Sequence, residues 1–439
     1  MRASTIENVV ARRVWDSRGN PTIEVDIILA DGVLGRAIAP AGASRGAREA
    51  VELRDGGERL KGQDIQSALD AVRDIIAPSL VGRDIGDQRQ IDEHLIALDG
   101  TAQKSRLGGN TTVATSMAAL HAAAAAVQKP LWRYVADTYG REPSIPLPEI
   151  QIFGGGAHAG RRIDVQDFMV MVPGAESFDE VLAVTAEIHA AAGEIMRRKG
   201  ALAGVADEGG WWPVFDSNED ALETLVAAIE AAGETPGQRV VVSLDIAASE
   251  FGSNGRYRLA LEQRSLNSEE MIDLLGRWID TYPIASIEDP LAEDDPTAME
   301  AFTERYGHKV QIIGDDYLVT NADLVADAAG SGACNAVLIK VNQAGTITEA
   351  VAAFDAAKLA GYGTIVSARS GETEDVTISH LAVGLGAGQL KVGSFTRSER
   401  MVKWNECLRI QERLGASKFV GGAPLSGTGW ATAKSEPGG

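Results

Sequence analysis

Six short apolar runs, each followed by a polar side chain, recur in the second part of the chain and constrain its fold more than any other feature. After the first pair, successive runs lie about 25 residues apart, which is the length of one strand plus one helix. Two further strands are expected near residues 150 and 170, so the pattern predicts an α/β protein with a closed β/α barrel. The runs occupy residues 240–244, 284–287, 310–313, 336–339, 363–366 and 389–390.

The first 140 residues follow a different pattern, which is typical of a small α+β domain. Residues 22–27 and 33–38 alternate between apolar and polar side chains on either side of an Asp31-Gly32 turn, and this predicts a hairpin. Helical periodicity follows at residues 65–76 and 112–127.

Composition marks the domain boundaries. Pro143, Pro146 and Pro148 predict a linker, and the last residues of the chain are rich in Gly, Ser and Pro. We therefore predict an α+β domain at residues 1–140, a barrel domain at 141–423 and a poorly ordered tail at 424–439.

Charge and cysteine content narrow the classes of function. The chain has 41 Lys and Arg against 62 Asp and Glu, and its net charge of −21 opposes binding to nucleic acid. No apolar run is long enough to span a membrane, and the N-terminus lacks an apolar signal core. The two cysteines, Cys334 and Cys407, fit a reducing compartment. We therefore expect a cytoplasmic protein that binds neither nucleic acid nor membrane.

The polar residues that end the predicted strands form the candidate site, because active sites of such barrels lie at the C-terminal ends of the strands. Asp245, Glu288 and Asp315 are hard oxygen ligands with no His or Cys beside them, and they suit Mg²⁺. The alternative is a cluster of ion pairs with Lys340 and Lys391 and no metal. Three acids brought together without a metal repel one another strongly, which favours the metal.

Lys340 and Lys391 end two of the later strands and supply a candidate base. A lysine beside another cation and a metal ion has its charged form disfavoured. We therefore expect the pKa of a lysine here to fall toward the range of a general base.

Three further positions are weaker candidates. Glu208 lies in a DEGG segment, His158 in a glycine-rich GGGAHA segment, and Arg369-Ser370 at a strand end. A histidine in a glycine-rich loop is a candidate for anion binding, and a guanidinium beside a hydroxyl suits phosphate. The chain lacks the GxGxxG pattern, so a dinucleotide-binding fold has no support.

Long motifs along the chain match those of one known family. They are DSRGNPTIEVD, GASRG, ELRDG, LDGTAQKSRLGGN, GGAHAG, VADEGGWWP, SLDIAASEF, SIEDPLAEDD, GDDYLVTN, LIKVNQAGT, RSGETEDVTI and RSERMVKWNECLRIQE. Through these segments the chain resembles the enolases over nearly its whole length. The resemblance implies an N-terminal capping domain on a β/α barrel that has an antiparallel strand near its start. It also implies two Mg²⁺ ions, the second recruited with the substrate, a phosphorylated three-carbon acid as substrate, and a homodimer or higher homo-oligomer.

The resemblance also assigns metal ligands to positions of this sequence. Asp245, Glu288 and Asp315 match the ligands of the first Mg²⁺. Ser44, in a GASRG loop that is expected to be mobile, matches the serine that joins the second Mg²⁺ to the substrate phosphate.

Other roles follow in the same way. Lys340 matches the general base, Lys391 the lysine that holds the substrate carboxylate, and Glu208 the acid that helps hydroxide to leave. The contacts expected on the phosphate side are His158, Arg369 and Ser370.

Three positions depart from the family, each toward a smaller side chain. The enolase motif SHRSGETED has Ala368 in place of its histidine, QEF becomes QDF with the shorter acid Asp167, and INGG becomes FGGG with Gly154 in place of asparagine. The first two changes lie on the side where the family expels hydroxide. Nearby loops gain the arginines Arg45, Arg161 and Arg162.

These departures predict a specialised relative of the enolases. We expect the enzyme to abstract the α-proton of 2-phosphoglycerate or a close analogue, with Asp167 as a catalytic residue. Arg45 would help to bind a second, phosphonate substrate, as in the carboxyphosphonoenolpyruvate synthase of phosphinothricin-type antibiotic biosynthesis. One alternative is an ordinary enolase, which dehydrates 2-phosphoglycerate to phosphoenolpyruvate. The other is a catalytically weak enolase-like binding protein.

Overall fold

An antiparallel sheet of three strands opens the chain in the computed structural model, which describes residues 4–431. The predicted hairpin is confirmed, because β2 (Pro21–Leu29) pairs with β3 (Leu34–Ile38). The sequence prediction missed β1 (Ile6–Trp15), which pairs with the other edge of β2. A shift of register near the start of β1 interrupts the alternation of side chains that would have revealed this strand.

Helices cover one face of this sheet. They are α1 (Gln66–Ala71), α2 (Ala77–Leu80), α3 (Gln88–Asp99), α4 (Gly109–Ala126) and α5 (Leu131–Tyr139), with a π turn at Val72–Ile76 between the first two. Helix α4 is buried along most of its length, and small residues make up much of its sequence. These small residues allow close packing on β3, where a Cβ at Gly35 would lie 2.2 Å from the Ala118 carbonyl oxygen.

Eight strands form the closed barrel that the apolar runs predict. They follow chain order around the barrel, and the last strand closes on the first. The second barrel strand runs antiparallel to both neighbours, as the family resemblance implies. The barrel strands are β4 (Leu147–Gly154), β5 (Asp167–Met171), β8 (Val241–Asp245), β12 (Ile284–Glu288), β13 (Gln311–Gly314), β14 (Ala336–Ile339), β15 (Gly363–Ser367) and β16 (Gln389–Gly393), and short hairpin strands between them are β6 (Leu202–Val205), β7 (Trp211–Pro213), β9 (Gly252–Ser253), β10 (Arg256–Leu259) and β11 (Arg264–Asn267).

Helices surround the barrel strands on the outside, and the final helix follows the last strand. They are α6 (Phe178–Lys199), α7 (Asn218–Ala231), α8 (Ser268–Thr281), α9 (Pro296–Tyr306), α10 (Ala322–Ser331), α11 (Val341–Ala344), α12 (Ile347–Leu359), α13 (Thr377–Leu385) and α14 (Ser398–Leu414). Local sequence fixes where several of them begin. The Ser177 side chain caps α6, Ser217 caps α7, and Asn267 with Glu270 forms a capping box at α8.

The C-terminal segment packs against the barrel for as far as the structure describes it. Leu425 is fully buried, and Trp430 Nε1 donates to the Gln238 carbonyl at 2.7 Å. The sequence predicts a poorly ordered tail from residue 424, but packing against the barrel continues beyond that residue. The polar residues suggested the tail, whereas the apolar side chains of Leu425 and Trp430 among them make the contacts with the barrel. The rest of that predicted tail, 432–439, lies outside the described residues. Within residues 4–431, no helix is both long and apolar enough to cross a membrane.

A buried carboxylate ties the N-terminal domain to the barrel. Asp92 on α3 accepts hydrogen bonds from Ser116 Oγ at 2.6 Å and Gln88 Nε2 at 3.0 Å within its own domain. Its other oxygen accepts from the backbone N–H and hydroxyl of Thr348, at the start of α12 in the barrel, at 2.8 and 2.6 Å. Burial raises the pKa of Asp92 to about 6, although these hydrogen bonds act in the opposite direction.

This shift predicts a pH-dependent contribution to stability. The folded-state pKa lies above the unfolded value of 3.8, so the contribution is fully present below pH 3.8 and is lost as pH rises through about 6. We expect the free energy of unfolding of the wild type, relative to Asp92→Asn, to fall by up to about 3 kcal/mol between pH 4 and pH 7. Urea unfolding of both proteins at a series of pH values measures the difference.

Asp99 in the same domain is a matched control with the opposite sign. Burial alone would raise the pKa of Asp99, but hydrogen bonds from Thr101 and from backbone N–H groups lower it overall. The relative stability of wild type over Asp99→Asn should therefore be lost as pH falls, not as it rises. Parallel pH profiles for wild type and Asp92→Asn would contradict the assignment to Asp92.

Candidate active site

The strand ends bring the predicted charged residues to one mouth of the barrel. Asp245 and Glu288 are the last residues of neighbouring parallel strands and lie opposite each other in the register. Asp315 follows β13, Lys340 follows β14, and Lys391 lies within β16. All five side chains are buried, so their charges must be balanced inside the protein.

Lys391 balances two of the acids. Its Nζ donates to Asp245 Oδ2 at 2.8 Å and to Glu288 Oε2 at 2.7 Å. Burial alone would lower the pKa of Lys391, but the two carboxylates outweigh burial and raise that pKa well above its ordinary value. Burial and the charge of Asp245 raise the pKa of Glu288 as well.

Lys340 pairs with the third acid. Its Nζ donates to Asp315 Oδ2, and Gln343 Nε2 donates to the other Asp315 oxygen at 2.9 Å. Burial alone would lower the pKa of Lys340, yet the Asp315 charge raises it overall, while Arg369 and Lys391 oppose that rise. The lowered lysine pKa that the sequence predicts depends on the charge of a neighbouring metal ion, so it stays a prediction. The sequence did not show that a carboxylate is the nearest charge to Lys340.

The three acids fit a hard metal ion such as Mg²⁺, although both lysines also form the ion pairs of the alternative interpretation. All the donors in the set are carboxylate oxygens, the ligands that Mg²⁺ prefers. Glu288 Oε1 is buried and has no hydrogen-bond partner among the described residues. A buried carboxylate oxygen without a hydrogen-bond donor needs a source of positive charge. A cation held by Asp245, Glu288 and Asp315 would supply that charge.

Asp289 orients one of these acids, and the sequence analysis missed it. Its carboxylate accepts from the backbone N–H groups of Asp315 and Asp316 at 2.9 and 2.7 Å. Asp289, Asp315 and Asp316 each place a carboxylate oxygen within 4.8 Å of the others. Burial and the charge of Asp315 raise the pKa of Asp289 to about 8. In the sequence, the position of Asp289 directly after Glu288 was the one feature that could have marked it as a residue of the site.

His158, Asp167 and Glu208 lie together along the same cleft. His158 Nδ1 lies 3.0 Å from Asp167 Oδ1, and His158 Nε2 lies 3.7 Å from Glu208 Oε1. Burial alone would lower the pKa of His158, but the two carboxylates raise it to about 9. The structure therefore unites residues that the sequence placed in three separate segments. Gln151, which no motif marked, contacts both acids.

Arg369 and Ser370 hold the loop that carries Ser44. Arg369 Nη2 donates to the Ser44 carbonyl at 3.0 Å, and the Ala43 N–H donates to Ser370 Oγ at 2.7 Å. Glu49, also missed by the sequence analysis, accepts from both terminal nitrogens of Arg369 at 2.9 and 3.1 Å. The guanidinium predicted to face phosphate is thus already paired with a carboxylate of the N-terminal domain.

Two of the arginines gained in the nearby loops lie beside acids that do not line the cleft. Arg161 Nη2 donates to Glu250 Oε2 at 2.6 Å, and Arg45 Nη1 lies 3.9 Å from Glu52 Oε2. Arg162 is exposed. Among the described residues that line the cleft, none of these three arginines is present, so a role of Arg45 in substrate binding stays a prediction.

Two of the three positions with smaller side chains, Ala368 and Gly154, differ in where they lie. Ala368 lines the cleft, whereas Gly154 packs behind it against Ala206 and Gln151.

Comparison with known proteins agrees with this geometry. The family model described as "Enolase, N-terminal domain" matches residues 6–135, and "Enolase, C-terminal TIM barrel domain" matches residues 142–426. The chain belongs to the enolase family. It is 49% identical over 420 residues to "Enolase 1" of Desulfitobacterium hafniense (strain Y51), which covers 95% of this chain and 96% of the relative.

Family membership fixes the broad class of this enolase-family protein. The chain is an enzyme, a lyase, and the family is Mg-dependent and acts on small anionic substrates. Members of the family typically form oligomers.

The acids at the barrel mouth predict that Mg²⁺ stabilises the fold. Binding to the folded state alone contributes about 2.7 kcal/mol when the free ion is at 100 times its Kd. We expect Mg²⁺ to raise the melting temperature of the wild type and to have little effect on Glu288→Gln. Thermal unfolding in EDTA and in excess Mg²⁺ measures both shifts.

Glu149 offers a matched control for this experiment. It is an equally buried acid, but Ser243 Oγ and Gln389 Nε2 donate to it deeper in the barrel, at 3.0 and 2.6 Å. Glu149→Gln should keep the Mg²⁺-dependent rise in melting temperature. An equal loss of that rise in both variants would show that the effect does not depend on the acids at the mouth.

Proposed function

We propose that this enzyme dehydrates 2-phosphoglycerate to phosphoenolpyruvate. The observation that carries the proposal is a single cleft lined both by Lys340, a candidate base, and by Glu208, a candidate acid. Both side chains are buried, and this burial limits the access of water, which could otherwise exchange protons with the two groups. The identity shared with a protein called Enolase 1 supports the same assignment.

The proposed reaction breaks one C–H bond and one C–O bond. Lys340 takes the proton from C2 as a neutral amine, the form that a metal ion held by Asp315 would favour over the ammonium, and the electron pair left behind forms the C2=C3 double bond. The hydroxide on C3 leaves with a proton from the Glu208 side, so that water is released and the atoms balance. Acid–base help of this kind contributes about 10²–10⁴-fold per group.

The remaining predicted residues are proposed to bind the substrate. Lys391 would hold the substrate carboxylate, with Arg369, Ser370 and His158 toward the phosphate. Two Mg²⁺ ions, the first held by the acids at the barrel mouth and the second recruited with the substrate through Ser44, would stabilise negative charge on the carboxylate.

The specialised phosphonate synthase has less support than ordinary dehydration. Among the arginines that suggested a second anionic substrate, Arg161 pairs with Glu250, Arg45 lies near Glu52, and Arg162 is exposed. Ala368, which lines the cleft at the position where the family motif has a histidine, is the observation that still favours it. A catalytically weak binding protein has the least support, since it need not retain a costly buried charge cluster.

Two further proposals follow from the family. We propose a homodimer or a larger homo-oligomer, because members of the family typically form oligomers. We also propose a cytoplasmic location, which the small number of cysteines favours.

Assay of the purified protein with 2-phosphoglycerate and Mg²⁺ tests the proposal. We expect phosphoenolpyruvate to form, and we expect EDTA to abolish its formation. Lys340→Ala should lower dehydration by at least about 10²-fold and stop exchange of the C2 hydrogen with solvent deuterium, because the base is lost. Ultraviolet absorbance follows the enol product, and NMR follows the exchange.

Lys309→Ala is the control for this variant. Lys309 is partly exposed, pairs with Asp280 at 2.6 Å and does not line the cleft, so its loss should leave both rates unchanged. Wild-type exchange in Lys340→Ala would remove Lys340 from the role of base. A wild type that fails to dehydrate 2-phosphoglycerate would overturn the proposed function itself.

A further inference from the structure

Gln151 lies behind the acids of the cleft, and its side chain is fully buried. It belongs to β4, which pairs with β5, the strand that begins with Asp167. Gln151 Nε2 donates to Asp167 Oδ1 and lies 3.5 Å from Glu208 Oε2. One amide therefore contacts two acids that come from separate segments of the chain.

The surroundings allow only one orientation of this amide. The backbone N–H of Gly210 donates to Gln151 Oε1 at 2.8 Å, so the oxygen must face that loop and the NH₂ group must face the acids. The space for the amide depends on missing side chains. A Cβ at Gly210 would lie 2.5 Å from Oε1, and a Cβ at Gly154 would lie 3.3 Å from Nε2.

Contacts on one oxygen of Asp167 leave its other oxygen free. Gln151 Nε2 and His158 Nδ1 both contact Oδ1, the latter at 3.0 Å. Asp167 Oδ2 is buried and has no hydrogen-bond partner among the described residues, and it lies 3.8 Å from Lys391 Nζ in the cleft. The two contacts on Oδ1 therefore hold the free oxygen toward the site where substrate would bind.

We propose that Gln151 is a positioning residue for the departure of hydroxide, because it holds Asp167 and Glu208 in a fixed relation. The inference rests on the proposed dehydration. Asp167 is one methylene shorter than the acid of the family motif, and the length of Gln151 spans the remaining distance. Within residues 4–431, Gln151 forms no hydrogen bond to Lys340, so removal of the C2 proton should not depend on it.

Gln151→Asn tests this role, since it withdraws the amide from Asp167 by one methylene. We expect dehydration to fall by about 10–100-fold, the usual loss for a residue that orients a functional group. Exchange of the C2 hydrogen with solvent deuterium should stay within about threefold of wild type, because the base is untouched. A general disturbance of the fold would lower both rates together.

Asp167→Glu supplies a rescue, because it returns the methylene that Gln151→Asn removes. The double variant should recover most of the dehydration rate, whereas Asp167→Glu alone should be slow because its longer acid crowds the intact Gln151. If Gln151→Asn fails to fold, Gln151→Met keeps the volume without the donor and should show the same separation of the two rates.

Gln88→Asn is the matched control, because Gln88 is a buried glutamine that hydrogen-bonds Asp92 at the contact between the domains. It should change neither rate. Wild-type dehydration in Gln151→Asn, an equal loss of exchange and dehydration, or no rescue by Asp167→Glu would each overturn the inference. A wild type that catalyses neither reaction would instead refute the proposed function, and the inference with it.

Discussion

The contact of Lys391 with Asp245 and Glu288 is the interaction on which the rest of the site depends. Two carboxylates at the ends of adjacent strands would repel each other in a buried cleft, and one ammonium between them makes their proximity tolerable. The barrel geometry requires this meeting, because the register sets Asp245 directly opposite Glu288. Lys391 comes from the last barrel strand, which pairs with the first, so the acids meet their ammonium partner only in the closed barrel.

The N-terminal domain completes the site as well as covering it. Glu49 from that domain pairs with Arg369 and lies within reach of Gln343, whose amide also contacts Asp315. A movement of the loop that carries Ser44 would therefore break or shift the hydrogen bond that Arg369 donates to the Ser44 carbonyl. Buried hydrogen bonds that cross between domains tie the geometry of the cleft to the way the two domains pack.

The loop that carries Glu208 is supported from behind by an aromatic contact. Trp211 stacks on His189 of α6 with ring centroids 4.5 Å apart, and Trp211 Nε1 donates to the His189 carbonyl at 2.8 Å. A Cβ at Gly193 would lie 2.6 Å from the Trp211 ring, so glycine is needed for this packing. Burial lowers the pKa of His189 to about 4, so this histidine is neutral near pH 7. His189 therefore adds no charge behind the cleft.

The sequence by itself determined the barrel, its strand order and the residues at its mouth. Apolar runs with a fixed spacing leave few other ways to bury their side chains, and polar residues at strand ends such as Asp245, Glu288 and Lys340 must then converge. The sequence did not predict strand β1, because its irregular register interrupts the alternation of apolar and polar side chains from which strands are predicted.

Only the tertiary structure decided which charges pair. Lys340 meets Asp315 and has a raised pKa, Arg45 and Arg161 lie beside acids that do not line the cleft, and Glu49 pairs with Arg369 of the other domain. Gln151 meets Asp167 and Glu208 in the same way, although no motif marks it. The physical reason is that electrostatic and hydrogen-bond energies depend on distances of a few ångströms between residues far apart in the chain, which periodicity and spacing do not encode.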